Sequence, residues 1–182
     1  MSIIDYPRKE VITGSSGYNY AYWKSRIGIG PVINFYPLKT DAKKMLEFYA
    51  RHFDSVEINC TRYRKLTVST CENWYKQVSH NDNFKFVIKV DTFITHAKKL
   101  VNISEWWENM KECILALKEK FCCLLFQFPP TWKKTSANIS KIRNLIDLIK
   151  IPKKERIGSQ VHCAFEFRDL DWYSNDKTDP LY

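Results

Sequence analysis

Four short segments of this chain share an alternation that few folds can accommodate. In "SVEIN" (55–59), apolar Val56 and Ile58 alternate with Glu57 and Asn59. In "FKFVIKV" (84–90), Phe86, Ile88 and Val90 oppose Val87 and Lys89. In "CCLLFQFPP" (122–130), Leu124, Phe126 and Phe128 oppose Leu125 and Gln127, and in "CAFEFR" (163–168) Phe165 and Phe167 oppose Ala164, Glu166 and Arg168. Successive side chains of a strand point to opposite faces. Each segment therefore predicts a strand with one wholly apolar face and one face that turns polar at or near its C-terminal end. A further run, "EVITGSSG" (10–17), precedes them.

Helical patterning fills the gaps. Residues 40–53 open on a Thr-Asp cap signal and place Met45, Leu46, Tyr49 and Phe53 on one stripe. Residues 69–78 do the same with Cys71, Trp74, Tyr75 and Val78. Residues 103–121 offer Ser104 as a cap, then Trp107, Met110, Ile114 and Leu117; residues 136–149 carry Ile139, Ile142, Leu145, Ile146 and Ile149. Strands alternating with helices predict an α/β fold with a parallel sheet. A doubly wound sheet is covered on both faces and needs nearly continuous apolar strands. A (β/α) barrel wants apolar residues outward, under helices, and inward residues that turn polar toward the C-terminal mouth. The parities predict the barrel.

The 182 residues suit one domain over 1–182, and no linker or composition break divides them. Residues 18–39 form the longest irregular piece, rich in aromatic side chains, a position where a long loop tends to carry function. A net charge of +9 admits phosphate or nucleic-acid partners. The basic residues are spread in pairs such as Lys43-Lys44 and Lys133-Lys134, so a solvated surface is the favoured account of them. None of the six cysteines forms a C-x-x-C pair, and Cys122-Cys123 lies in an apolar run where cysteine serves as a small hydrophobe. Scattered histidines give no zinc spacing, so neither a metal nor a cofactor is expected. The start lacks the apolar core of a signal peptide and no run reaches membrane-spanning length, which predicts a cytoplasmic protein with reduced thiols and no membrane partner.

In a barrel Glu57 points inward, where an unpaired carboxylate is costly or shifts its pKa upward. Lys89 and Arg168 are the expected partners. Such charges either fill the barrel as a structural ion-pair layer or surround a ligand. Buried ion pairs stabilise poorly against apolar packing of equal volume, which favours a site.

The stretches "GSSGYNYAYW" (14–23), "HFDSVEINCTRYR" (52–64), "FKFVIKVDTFITH" (84–96), "LLFQFPP" (124–130) and "AFEFRDLDWY" (164–173) occur in this order across nearly the whole chain. Together they resemble the YecE-like family of uncharacterised proteins, also called the domain-of-unknown-function 72 family. The resemblance implies a TIM barrel with no established activity. It carries over Ser16, Gly17, Tyr18 and Trp23 after the first strand, and Glu57, Asn59 and Tyr63 around the second. It adds Lys89, Thr95 and His96 after the third, Gln127, Pro129 and Pro130 at the fourth, and Glu166, Arg168 and Trp172 at the fifth. Family barrels continue past that point, whereas five strands are visible here against the eight of a closed barrel. A C-terminally shortened, incomplete barrel is expected, with two sheet edges open to self-association.

Among these residues Glu57, Lys89, His96 and Glu166 are the candidate acid, base or nucleophile groups. Histidine's unperturbed pKa lies near neutrality, which makes His96 the leading acid/base candidate, and Lys89 can act as base or anion anchor. Ser16, Tyr18, Trp23, Asn59, Tyr63, Thr95, Gln127, Arg168 and Trp172 are the candidate ligand contacts. Tyr18, Tyr20, Tyr22, Trp23 and Tyr63 suit either a stacking wall for a ring or a lid. The expected function is a metal-independent enzyme, or relic of one, that binds a small anionic or polyhydroxylated molecule at the mouth. Nucleic-acid binding and a non-catalytic interaction module are the alternatives.

Overall fold

The computed structural model describes residues 12–24, 35–37, 39–59, 65–149 and 161–173. Five parallel strands pair in sequence order: β1 (Gly14–Ser16), β2 (Ser55–Ile58), β3 (Lys85–Lys89), β4 (Phe121–Gln127) and β5 (Cys163–Glu166). Helices α1 (Met45–Tyr49), α2 (Val68–Gln77), α3 (Ser104–Leu117) and α4 (Ser136–Leu148) occupy the connections. Such crossovers are almost always right-handed, so a strand order that never reverses sends every helix to the same side of the sheet. A doubly wound sheet reverses and coats both faces. This order is that of a TIM-like barrel, left unclosed among the described residues, with β1 and β5 as its edges.

Burial follows the alternation. Val56, Ile58, Phe86, Ile88, Leu124 and Phe126 are at most 2% exposed and belong to one continuous core with the helices. Their neighbours on the other face, Glu57, Val87, Lys89, Leu125, Gln127 and Glu166, stay half-buried. Aromatic rings bind the helix layer to the sheet. Trp74 of α2 stacks on Phe86 at 6.0 Å, Trp106 of α3 meets Phe126 edge-on at 6.1 Å, and Trp132 stacks on Phe128 at 4.7 Å.

Helix starts and stops follow the local chemistry. Asp41 accepts from the Lys43 amide ahead of a 3-10 turn at Ala42–Lys44, and Thr67 and Thr135 cap α2 and α4. The helix expected over 40–53 is shorter, because α1 ends at Tyr49. Tyr49 is fully buried, stacks on Phe53 at 4.8 Å, and its hydroxyl donates to the Ser55 carbonyl while accepting from the Ser15 amide. It ties α1 to β1 and β2, and the chain turns around it. Ser104 is the first residue of α3 rather than its cap; buried Ile103 takes the cap position without a side-chain bond. Gly14 has no substitute, since a Cβ there would lie 2.1 Å from the Ser55 carbonyl oxygen.

Two features depart from the sequence pattern. Lys120 ends the charged stretch "KEK", yet it is buried and its ammonium donates to the Asn81 and Asp82 carbonyls at 2.8 and 2.9 Å. In β4 the register runs Phe86 with Phe121, then Val87 with Cys123, so Cys122 is the extra residue of a β-bulge. Cys122 and Cys123 are half-buried and lie outside the core cluster, so they are not the core hydrophobes expected.

The two faces should respond differently to truncation. Phe126→Ala is expected to cost about 3–5 kcal/mol, the usual range for emptying a buried aromatic site. Leu125→Ala, next to it on the other face, should cost less than about 1.5 kcal/mol because less area leaves water. Urea denaturation of the two variants checks this; equal losses would mean that both faces are packed.

Candidate functional site

Among the described residues, the polar groups of the face away from the helices form two hydrogen-bonded sets. On the β1–β2 side, the Asn59 amide donates to the Ser16 hydroxyl, which donates to Glu57 Oε1 at 2.8 Å. The direction is forced, because a carboxylate can only accept and Ser16 has one proton to give. Asn59 Oδ1 is thereby left as an acceptor; it is buried and has no partner among the described residues. Gly17 makes this corner possible. Its φ of 93° is a conformation that side chains disfavour, and its amide donates to the Glu57 carbonyl at 2.9 Å.

On the β4–β5 side, Gln127 Nε2 donates to Glu166 Oε2 at 2.6 Å and Arg168 Nε donates to Glu166 Oε1 at 3.1 Å. Partial burial pushes the Glu166 carboxyl up, but these two bonds, with the charges of Arg168 and Lys89, outweigh it and hold the pKa below the ordinary carboxylate value. Arg168 therefore pairs with Glu166 on its own segment. Lys89 lies between the sets at the end of β3, near enough for its charge to act on Glu166.

Strand register brings these groups toward one level. Glu57 faces Val87, with Lys89 two residues further on; Lys89 faces Leu125, with Gln127 two further on; Gln127 faces Glu166. Barrel strands tilt by about 36°, which raises a level by about one residue per strand in this direction. The diagonal from Glu57 through Lys89 to Gln127 and Glu166 thus approximates a rim.

The remaining predicted residues divide between the segments that follow the strands and the helix side of the sheet. Phe93–Ala97 forms a π-helical turn after β3, a rare geometry common at functional sites. It buries Thr95, whose hydroxyl bonds His96 Nδ1 at 2.8 Å. Lys99, Leu100 and Asn102 follow in left-handed conformations, with φ of 49°, 61° and 53°. Such residues carry backbone strain that the surrounding structure must hold. Tyr18 and Trp23 turn toward the α1 side, their ring centres 6.3 and 6.4 Å from that of Tyr49. Pro129 is half-buried and Pro130 exposed beyond β4. Trp172 is buried on the helix side, stacked on Phe167 at 4.0 Å, with its indole N–H donating to the Trp132 carbonyl at 2.8 Å. Tyr63 and Cys60 lie outside the described residues.

One ion pair near the rim escaped sequence reasoning. Lys133 pairs with buried Asp169, although Lys133-Lys134 reads as a solvated pair and only the aspartate's position directly after Arg168 hints at it. Among the described residues no group of three or more His, Cys, Asp and Glu side chains is placed to hold a metal ion, and no helix is long and apolar enough to cross a membrane.

Comparison with known proteins bears on the fold and the family. A family model described as "Protein of unknown function DUF72" matches residues 12–182. The UPF0759 protein YunF of Bacillus subtilis (strain 168) is 28% identical over 153 residues, which is 81% of this chain and 50% of that protein. The crystal structure of a DUF72 family protein from Thermotoga maritima superimposes with a TM-score of 0.65 at 22% identity, over 91% of this chain and 58% of that one. One from Enterococcus faecalis gives 0.58 at 24% identity, over 77% and 54%. At these identities the structural likeness speaks for the fold alone. The chain spans about half the length of these relatives.

The Glu166 environment gives a pH test. A carboxylate whose pKa is depressed on folding contributes stability that is present above its unfolded pKa and lost as pH falls through the folded one. Replacing Arg168 by Met or Gln127 by Leu should raise the Glu166 carboxyl pKa, measured from its 13C shift during an acid titration. An unchanged titration in both variants would contradict the assigned bonds.

Proposed function

The chain belongs to the DUF72 family of proteins of unknown function, and on that premise we propose that its uncovered polar face binds a small anionic or polyhydroxylated molecule at the C-terminal ends of the strands. The observation that carries this reading is the directed chain from Asn59 through Ser16 to Glu57, which leaves Asn59 Oδ1 buried with no partner among the described residues. A buried acceptor without a hydrogen bond is costly and rare in native proteins. A ligand hydroxyl that enters as this corner opens would satisfy it.

The other groups suit the same ligand. Arg168 engages Glu166 through Nε, so its terminal NH2 groups remain suited to a carboxylate or phosphate. Lys89 adds a second positive charge from the middle of the rim. Glu57, Glu166 and His96 supply acid and base groups for a metal-independent reaction, and the two cations on the same face disfavour a divalent ion there. This reading draws more from the geometry than nucleic-acid binding does, because Trp23 stacks on Tyr49 instead of presenting that ring face to a base.

Thermal-shift screening with sugar acids, sugar phosphates and polyols tests the proposal. A ligand at ten times its Kd should stabilise by about 1.4 kcal/mol, or about 3–5 °C in a chain of this size. The shift should vanish in Glu57→Gln and in Lys89→Met, each checked for an unchanged fold by circular dichroism. Hits that stabilise both variants as well as the parent would exclude this face as the binding site.

A further inference from the structure

The bulge in β4 has a chemical consequence below the rim. In a regular strand adjacent side chains point to opposite faces, which keeps neighbouring cysteines apart. Here two residues of β4 answer one of β3, because Phe86 pairs with Phe121 and Val87 with Cys123. The extra residue, Cys122, breaks the strict alternation of β4, and its thiol lies within hydrogen-bonding range of that of Cys123. Both are free thiols, both are half-buried, and neither packs into the core. Groups from two neighbouring segments lie near enough for their charges to act on them: Lys85 on β3, which also donates to the Glu119 carbonyl, and His162 just before β5 with Cys163 at its start.

We propose that Cys122 and Cys123 form a dithiol site for soft electrophiles that bond two sulfurs at once, trivalent organoarsenicals being the chemical class that fits, with Cys122 as the attacking sulfur. The reaction balances without a redox partner. An arsenic(III) oxide of the form R–As=O takes both sulfurs, the two thiol protons leave with the oxygen as one water, and a cyclic dithioarsonite forms. Two sulfurs suffice for such a centre, whereas a tetrahedral zinc site needs further ligands.

The charges divide the labour between the thiols. The bond from Cys123, with the charges of His162 and Lys85, outweighs burial and brings the Cys122 pKa down to about 6. Cys123 is pushed well up by the same bond, by burial, and by the negative charge of Cys122, Cys163 and Glu57. The thiolate is the nucleophile, so Cys122 attacks first and Cys123 follows. The Cys71–Cys113 pair is also coupled by a hydrogen bond, but both residues are fully buried.

Phenylarsine oxide and intact-mass measurement on the full chain test this. One phenylarsenic group per chain should survive a glutathione wash and be released by dithiothreitol. Peptide mapping after alkylation should show Cys122 and Cys123 protected by the arsenical, and the adduct should be lost in Cys122→Ser and in Cys123→Ser. In the untreated protein at pH 7, monobromobimane should label Cys122 about tenfold faster than Cys71 or Cys113, because those two are fully buried and Cys122 is not. Absence of a glutathione-resistant adduct, survival of the adduct in either serine variant, or protection of Cys71 and Cys113 instead would each overturn the proposal.

Discussion

The structure depends on a difference between the two faces of one sheet. Helices arrive on a single side because the strand order never reverses, and the alternating side chains answer that asymmetry residue by residue. Phe86, Ile88, Leu124 and Phe126 meet Trp74, Trp106 and the other helix residues and are withdrawn from water. Hydrophobic burial is the dominant favourable contribution to folding, and here it is confined to that side. The other face is therefore under little pressure to be apolar. Polar and charged groups there are partly solvated, which lowers the cost of placing Glu57, Lys89 and Glu166 on one face.

The same asymmetry explains why the fold was legible. A period of two, repeated in four segments, reports which residues face the helices, and burial follows it at every apolar position from Val56 to Phe128. Ends and irregularities were not legible because they depend on tertiary partners. Tyr49 stops α1 by anchoring β1 and β2, Ile103 displaces Ser104 from the cap, and Lys120 is buried because two carbonyls happen to meet it. The bulge at Cys122 is a register effect between strands, and an apolar run carries no sign of it.

For the rim, residue identity was readable and bonding was not. Parity alone picks out Glu57, Asn59, Lys89, Gln127, Glu166 and Arg168, since each falls on the mixed side near a strand end. Which of them bond one another follows from register and side-chain reach, and the result pairs Glu166 with Gln127 and Arg168 while Glu57 takes Ser16. Family likeness pointed to Trp172 as well, yet that ring belongs to the helix layer, where it continues the stack from Phe167. A ring stacked 4.0 Å from its neighbour and capped by a carbonyl at 2.8 Å positions the segment after β5, and so helps to hold Arg168.

The most direct measurement is methyl NMR in the presence of a soluble gadolinium chelate, which broadens signals according to their access from solvent. If one side of the sheet is helix-covered and the other open, the methyls of Val87 and Leu125 broaden strongly while those of Ile58, Ile88 and Leu124 do not. Equal protection of both sets would contradict the account, because the polar groups would then sit in a sealed interior instead of on a surface a ligand can reach.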